Sequence, residues 1–312
     1  MSSKFWRAIV LTLLVTSGVS SVQAEELATK PAAAQAGSSA QAASSAADQP
    51  ATEVFLRITR TDANRPQSLD TAIVGFEGKP GSEYEGRRVD LVGVIHIGDK
   101  AYYQQIDKLL AEYDVVLYEL VAPDGTRIRP EDLQHRRSLL SSVQSGMKDM
   151  LNLEYQLEHI DYMAKNFRHA DMSPEEFVQD MRDRGDEVWK MLARMMGAGL
   201  ASQPGGGDVG ILVAMMSNNR AMLLKQTMAK QLLDVDVAVA GLDDASGENT
   251  LIKGRNRKAF EVLKEELAAG KKNIAVFYGA GHLDDMAQRL EQDFQMQPTS
   301  KRWLAAWDLQ RN

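Results

Sequence analysis

The chain has 312 residues, a net charge of −7 and 44% hydrophobic residues, a composition typical of a globular protein with one or two domains. It contains no cysteine, which excludes disulfides, thiolate nucleophiles and every cysteine-ligated zinc or iron–sulfur site. Any metal must therefore be held by nitrogen and oxygen ligands. The acidic balance, without a Lys/Arg run, argues against nucleic acid as a partner.

The N-terminus has the pattern of an export signal. Lys4 and Arg7 precede an apolar run that is too short to span a bilayer, and Val22-Gln23-Ala24 is typical of a cleavage site. We predict a cleaved signal peptide over 1–24 and a periplasmic or secreted protein; an uncleaved N-terminal anchor is the alternative. Residues 25–52 are rich in Ala and Ser, which predicts a disordered linker.

Residues 53–312 are predicted to form a single α/β domain with a mixed or mostly parallel central sheet, flanking helices and a large helical insertion. Alternating or continuous apolar runs predict strands, which are 54–61, 71–76, 88–95, 114–118, 273–278 and 302–309. Apolar residues at intervals of three and four predict helices, which are 100–113, 250–269 and 283–292, with the insertion at about 130–233. The strand, helix and strand over 88–118 indicate a βαβ unit with a parallel pair.

The predicted insertion is rich in methionine. Twelve of the 15 methionines lie between Met147 and Met228. This clustering is typical of an adaptable groove for a peptide or apolar ligand, but methionine is also an ordinary filler of helical cores. Both interpretations stay open from the sequence.

Two histidines and one glutamate follow predicted strands. His96 and His282 each stand in a Gly-x-x-His pattern between a strand and a helix, and Glu119 comes directly after the strand that ends at Tyr118. Ligands of an open parallel sheet bind beyond the carboxyl ends of its strands. The three side chains are therefore expected to converge on one point.

Two imidazoles and one carboxylate are suited to a catalytic metal site with an open position for water. Without cysteine, the set suits Mn, Co, Fe or Zn. The alternative is that each histidine satisfies only a local hydrogen bond at a strand end. His159 with Asp161, and His169 with Asp171, form two further His-x-Asp pairs, which fit either a second metal or pH-sensitive site or ordinary helical and capping positions.

Four motifs resemble the signatures of the TraB/GumN family, in the wider superfamily of TIKI, erythromycin-esterase and ChaN-like proteins. They are 92–99 (VGVIHIGD), 118–120 (YEL), 254–257 (GRNR) and 278–283 (YGAGHL). The resemblance implies an α/β fold with a helical insertion. Its TIKI members are metal-dependent proteases that use the two Gly-x-x-His histidines and the glutamate; other members are hydrolases, a haem-binding lipoprotein or inhibitors of peptide pheromone signalling.

The resemblance assigns roles to five residues. It implies that His96, Glu119 and His282 hold a metal or activate water, with Glu119 also catalytic. Arg255 and Asn256 match the family's Arg-Asn pair: Arg255 is suited to clamping a carboxylate or an oxyanion, and Asn256 to fixing a ligand amide or a histidine.

Two functions are expected from the sequence. The first is an exported metal-dependent hydrolase, similar to a metalloprotease, that acts on a peptide or small-molecule substrate. The second is a non-catalytic protein that captures a peptide or haem on the helical insertion. A homo-oligomer is compatible with either.

Overall fold

The computed structural model describes residues 55–126, 151, 153–184, 219–233 and 247–311. The predicted signal peptide, the predicted linker and much of the predicted helical insertion lie outside these residues, as does His135. Within the described part of the chain, no helix is both long and apolar enough to cross a membrane.

A seven-stranded sheet forms the centre of the fold. Its strands are β1 Leu56–Arg60, β2 Pro66–Gly78, β3 Arg88–Val94, β5 Val115–Tyr118, β7 Phe167–His169, β8 Asn273–Gly279 and β9 Met296–Asp308. They follow the order β1-β2-β3-β8-β5-β7, and β9 pairs with β2. Two shorter strands, β4 Ile97–Gly98 and β6 Glu154–Tyr155, pair with each other outside this sheet.

The sheet has an antiparallel part and a parallel part. Strand β2 is antiparallel to β1, β3 and β9, whereas β3, β8, β5 and β7 are parallel to their neighbours in that order. The predicted α/β class with a mixed sheet is confirmed. The strands β3 and β5 of the predicted βαβ unit are parallel, but β8 lies between them and hydrogen-bonds to both. Four parallel strands therefore end at one edge of the sheet.

Helices pack beside this sheet. They are α1 Lys100–Leu110, α2 Gln156–His159, α3 Pro174–Asp183, α4 Arg220–Leu233, α5 Arg255–Ala268 and α6 Leu283–Gln292. A π-helical turn over Thr250–Gly254 leads into α5, and a 3₁₀ turn over Ala280–His282 leads into α6. Helix α3 begins with a capping box, because Ser173 and Glu176 each accept a hydrogen bond from the other's backbone N–H.

Three elements differ from the prediction. Strand β2 is longer at both ends than 71–76, and β9 begins at Met296, six residues before the predicted start. Most of the first half of β9 is exposed, so it lacks the apolar alternation that marks a half-buried strand. Strand β7 lies within the stretch that was predicted to be helical, and its three residues are too few to show a period.

Strand β9 also fastens the loop that follows β3. The indole N–H of Trp307 donates to the carbonyl of Ile97 (2.6 Å), and the backbone N–H of Asp99 donates to Ala306 O (2.8 Å). The Asp99 side chain stands at the N-cap of α1 but makes no cap bond among the described residues, and it accepts instead from the backbone N–H of Asp308 (2.6 Å). The segment that carries His96 is thus held by the last strand.

We expect Trp307→Phe to lower the free energy of unfolding by about 1 to 3 kcal/mol, because it removes a buried hydrogen bond to the His96 segment. Urea denaturation of the full chain measures this. Trp303→Phe is the matched control. Trp303 is half-buried and packs against Arg57 and Lys301, so its replacement is expected to lower the free energy of unfolding by less. Equal losses for the two variants would contradict this role of Trp307.

Candidate active site at the carboxyl edge of the parallel strands

Four polar side chains follow the four parallel strands. His96 comes two residues after β3, Glu119 directly after β5, Asp171 two residues after β7 and His282 three residues after β8. Of these, only His96 is more than slightly exposed. The expected convergence of His96, Glu119 and His282 is therefore found, and Asp171 joins it.

Arg255, the first residue of α5, places a buried positive charge among these groups. Its Nη2 donates to Glu119 Oε1 (2.8 Å) and to Asp171 Oδ2 (2.5 Å), and its Nε donates to Asp171 Oδ1 (3.0 Å). Its Nη1 lies 3.5 Å from Nε2 of His282. Arg255 is 3% exposed and Asp171 is fully buried, so the guanidinium and both carboxylates form a desolvated charge network.

Both oxygens of Glu119 accept hydrogen bonds. Oε1 accepts from Arg255, and Oε2 accepts from the backbone N–H of Gly279 (2.7 Å). Burial raises the pKa of Glu119, but the positive charge of Arg255, with smaller contributions from His282, His96 and the Gly279 N–H, lowers it to about 2. Glu119 is therefore ionised at neutral pH.

The tautomer of His282 is fixed by Asn256. The amide Nδ2 of Asn256 donates to the backbone carbonyl of His282 (3.0 Å) and to Asp285 Oδ2 (2.8 Å), so its Oδ1 must be the acceptor facing His282 Nδ1 (2.6 Å). His282 Nδ1 carries the proton, so Nε2 is the acceptor and faces Arg255 Nη1 (3.5 Å). Glu119 Oε1 lies 3.6 Å from the same nitrogen. Burial lowers the pKa of His282 to about 4, because desolvation outweighs the attraction of Glu119, so this imidazole is neutral at pH 7.

His96 has the same arrangement. Its Nδ1 lies 2.9 Å from Oε1 of Gln156, whose Nε2 donates to the hydroxyl of Tyr162 (2.7 Å). With Oε1 as the acceptor, His96 Nδ1 carries the proton and Nε2 has the lone pair. That Nε2 is buried and has no hydrogen-bond partner among the described residues.

Residue 279, which lies beside His96 and Glu119, is glycine. A Cβ at Gly279 would lie 3.2 Å from Glu119 Oε2 and 3.8 Å from His96 Nε2. The missing side chain leaves room at the point where the carboxylate and the unpaired imidazole nitrogen meet. A side chain at residue 279 would therefore crowd both groups.

Tyr278 supports the buried side of the site. Its ring packs edge-on against the His282 ring, with centroids 5.3 Å apart, and its hydroxyl donates to the carbonyl of Ala170. Burial raises its pKa well above the ordinary value, so the phenol stays neutral. Tyr278 therefore connects the orientation of His282 to the segment that carries Asp171.

The predicted metal ligands do not fit a three-ligand site in this arrangement. In the described ranges, the ligand atoms of His96, Glu119 and His282 do not all lie within 4.8 Å of one another. Arg255 bridges Glu119 and His282 and already supplies a positive charge at this point. The orientation of both imidazoles is suited to metal ligation, but the spacing and the guanidinium are not.

The sequence missed two members of the site, Asp171 and Gln156. Asp171 was expected in a capping turn, yet it binds Arg255 through both oxygens. Of the other histidines, His169 contacts the carbonyl of Leu120 through Nε2 (2.5 Å), and His159 lies in α2 near Glu154. Asn256 orients His282, which was one of the two roles expected of it. The substrate clamp expected of Arg255 stays a prediction.

Comparison of this chain with models of protein families, with characterised proteins and with solved structures finds no match. The four motifs that resemble the TraB/GumN family therefore remain a prediction. The contacts of His96, Glu119, His282 and Arg255 are independent of that resemblance.

We expect the chain to lose stability as the pH falls from about 7.5 to 5. The folded-state pKa of His282, about 4, lies below the ordinary 6.5, so the unfolded chain binds more protons in this range and unfolding is favoured. The contribution is about 2 kcal/mol. Urea denaturation at pH 7.5 and at pH 5 measures it, and His282→Gln should reduce the difference. An equal pH dependence in the variant would contradict the buried neutral state of His282.

We expect Asp171→Ala to lower the free energy of unfolding by about 3 to 5 kcal/mol, because it leaves the buried Arg255 with one carboxylate partner instead of two. Glu265→Gln is the control. It weakens the exposed pair with Arg168 and is expected to cost less than about 1 kcal/mol. Chemical denaturation compares the two variants, and similar small losses would show that the Asp171 contact is weak.

Proposed function

We propose that this chain is a hydrolase in which His96 activates water at a centre completed by Glu119, His282 and Arg255. The observation that carries the proposal is the buried Nε2 of His96, which has no partner among the described residues and lies 3.8 Å from the position that a Cβ at Gly279 would take. The four motifs similar to those of the TraB/GumN family support the same reaction class.

The proposed step is general-base catalysis. Nε2 of His96 accepts a proton from water while the water oxygen attacks the carbonyl carbon of the substrate, and the imidazolium then returns the proton to the leaving group. Glu119 and Asp171 carry two negative charges and Arg255 carries one positive charge, while His282 is neutral. The centre thus has one excess negative charge beside the proposed base.

The other residues position this base. Gln156 holds Nδ1 of His96 and so leaves Nε2 as the nitrogen that carries the lone pair. Arg255 and the Gly279 N–H keep Glu119 ionised and fixed in place. Asn256 keeps His282 in the tautomer that leaves its Nε2 as an acceptor facing Arg255 Nη1. None of these contacts depends on a bound ligand.

The metal-dependent form of this function rests on the resemblance and not on the spacing of the three ligands. A divalent Mn, Co, Fe or Zn ion would supply Lewis-acid activation of water in such enzymes, and the step at His96 stands without it. An exported location and a peptide or other carbonyl substrate are likewise inferred from the signal-like N-terminus and the resemblance. Metal analysis of the purified chain tests the inference that the function is metal-dependent.

We expect Gly279→Ala to fold normally and to reduce hydrolysis by about a hundredfold or more. The backbone at this residue (φ −51°, ψ 136°) suits alanine, but the added methyl group lies 3.2 Å from Glu119 Oε2 and fills the space beside His96. A panel of fluorogenic peptides and small esters measures activity. Melting temperature serves as the control for folding.

His96→Ala provides the second arm of this experiment. It removes the proposed base, and we expect a loss of hydrolysis as large as that of Gly279→Ala. The proposed mechanism is disproved if either variant hydrolyses a substrate of the panel as fast as the wild-type chain does. The same holds if the wild-type chain hydrolyses no member of a broad panel.

A further inference from the structure

A second cluster of ligand-type side chains lies beside the candidate active site, on β6 and α2. Glu154 belongs to β6, and Glu158 and His159 belong to α2. One ligand atom from each residue lies within 4.8 Å of the other two, and across the described ranges no other three His, Asp or Glu residues meet this condition. We propose that Glu154, Glu158 and His159 bind a divalent transition-metal ion.

The position of His159 favours a ligand at this cluster. Its ring stacks on the ring of Tyr103 (centroids 6.1 Å apart, 16° between planes), which fixes the imidazole plane. Its Nε2 is buried, has no hydrogen-bond partner among the described residues and lies 3.5 Å from Glu154 Oε2. A buried ring nitrogen without a partner is costly, and a bound cation would satisfy it.

The separation between His159 and Glu154 also fits two ligands of one ion. A tetrahedral zinc-type ion binds nitrogen and oxygen at about 2.0 to 2.2 Å, which places neighbouring ligand atoms about 3.3 to 3.5 Å apart. The observed 3.5 Å is longer than an ordinary hydrogen bond and matches this spacing. Glu158 is exposed, so it can approach the ion by a change of side-chain rotamer.

A cavity adjoins the cluster on the side away from Glu154. It has a volume of about 280 Å³, and its lining includes Glu158, His159, Asp107 and Asp161. The space admits an ion together with several water ligands, since a water occupies about 30 Å³. The additional carboxylates of Asp107 and Asp161 make the cavity attractive to cations.

The ligand types indicate the class of metal. Magnesium and calcium prefer sites made only of oxygen, whereas an imidazole with two carboxylates suits Zn²⁺, Mn²⁺ or Co²⁺. This site differs from the one expected at His96, Glu119 and His282, where Arg255 supplies the positive charge. The metal site proposed here therefore lies at α2, apart from the strand ends.

An ion at this cluster would act on the candidate active site through Gln156. This residue lies between the ligands in sequence, and it contacts His96 through its side chain (2.9 Å) and by donating its backbone N–H to His96 O (3.0 Å). Fixing α2 would fix the orientation of His96. This consequence rests on the proposed function, whereas metal binding itself does not.

Calorimetric titration of the full chain with Zn²⁺ at pH 7.5 tests the proposal. We expect one site per chain, weakened by about tenfold or more in Glu158→Gln and in His159→Ala, because each removes a ligand. Glu175→Gln is the matched control, since Glu175 is an exposed acid on α3, and it should bind as the wild type does. His282→Gln should also retain binding. The absorption bands of bound Co²⁺ provide a second readout, which should change in His159→Ala.

Two results would overturn the proposal. One is the absence of saturable binding; the other is binding that survives Glu158→Gln and His159→Ala but is lost in His282→Gln, which would locate the metal at the strand ends. The hydrolase proposal has separate tests, because Gly279→Ala and His96→Ala are scored by hydrolysis and not by metal affinity. A failure of the metal proposal is therefore distinguishable from a failure of the hydrolase proposal, because metal affinity tests the first and hydrolysis tests the second.

Discussion

The pairing of one buried arginine with two buried carboxylates is the interaction on which this edge of the sheet depends. Glu119 and Asp171 are both buried, and an uncompensated buried carboxylate costs several kcal/mol. Arg255 compensates both at once. Because the two acids follow β5 and β7, the guanidinium fixes the start of α5 against the ends of two strands. The same charge keeps Glu119 ionised beside the imidazoles.

Strands and helices contribute differently to the site. The parallel strands bring His96, Glu119 and His282 to one edge, since their carboxyl ends coincide. Amide side chains from two helices then determine the tautomers of the imidazoles. Gln156 does so for His96, and Asn256 for His282. Each amide leaves an Nε2 lone pair facing the same region. The sheet therefore sets the position of each imidazole, and the helices set its chemistry.

The strand-end residues and most elements could be predicted from the sequence, because a buried apolar run followed by a polar residue is a local signal. Helix α6 has the predicted bounds, and His96, Glu119 and His282 lie together as expected. The role of Asp171 could not be predicted, since β7 is three residues long and its partner Arg255 is 84 positions away. The insertion of β8 between β3 and β5 is likewise a non-local pairing. The metal prediction rested on residue types alone. The proximity of Arg255 to Glu119 and His282 is apparent only from the distances in the structure.

The attachment of the His96 segment to β9 has a consequence for the order in which the fold is completed. Ile97 and Asp99 are bound by Trp307 and Asp308, which lie about two hundred positions later in the chain. A polypeptide emerging from a ribosome or a translocation pore presents β3 long before β9. Contacts of such high sequence separation form late. A chain that has not yet reached β9 therefore lacks a fixed His96, and any chemistry at this edge is delayed until β9 has been synthesised.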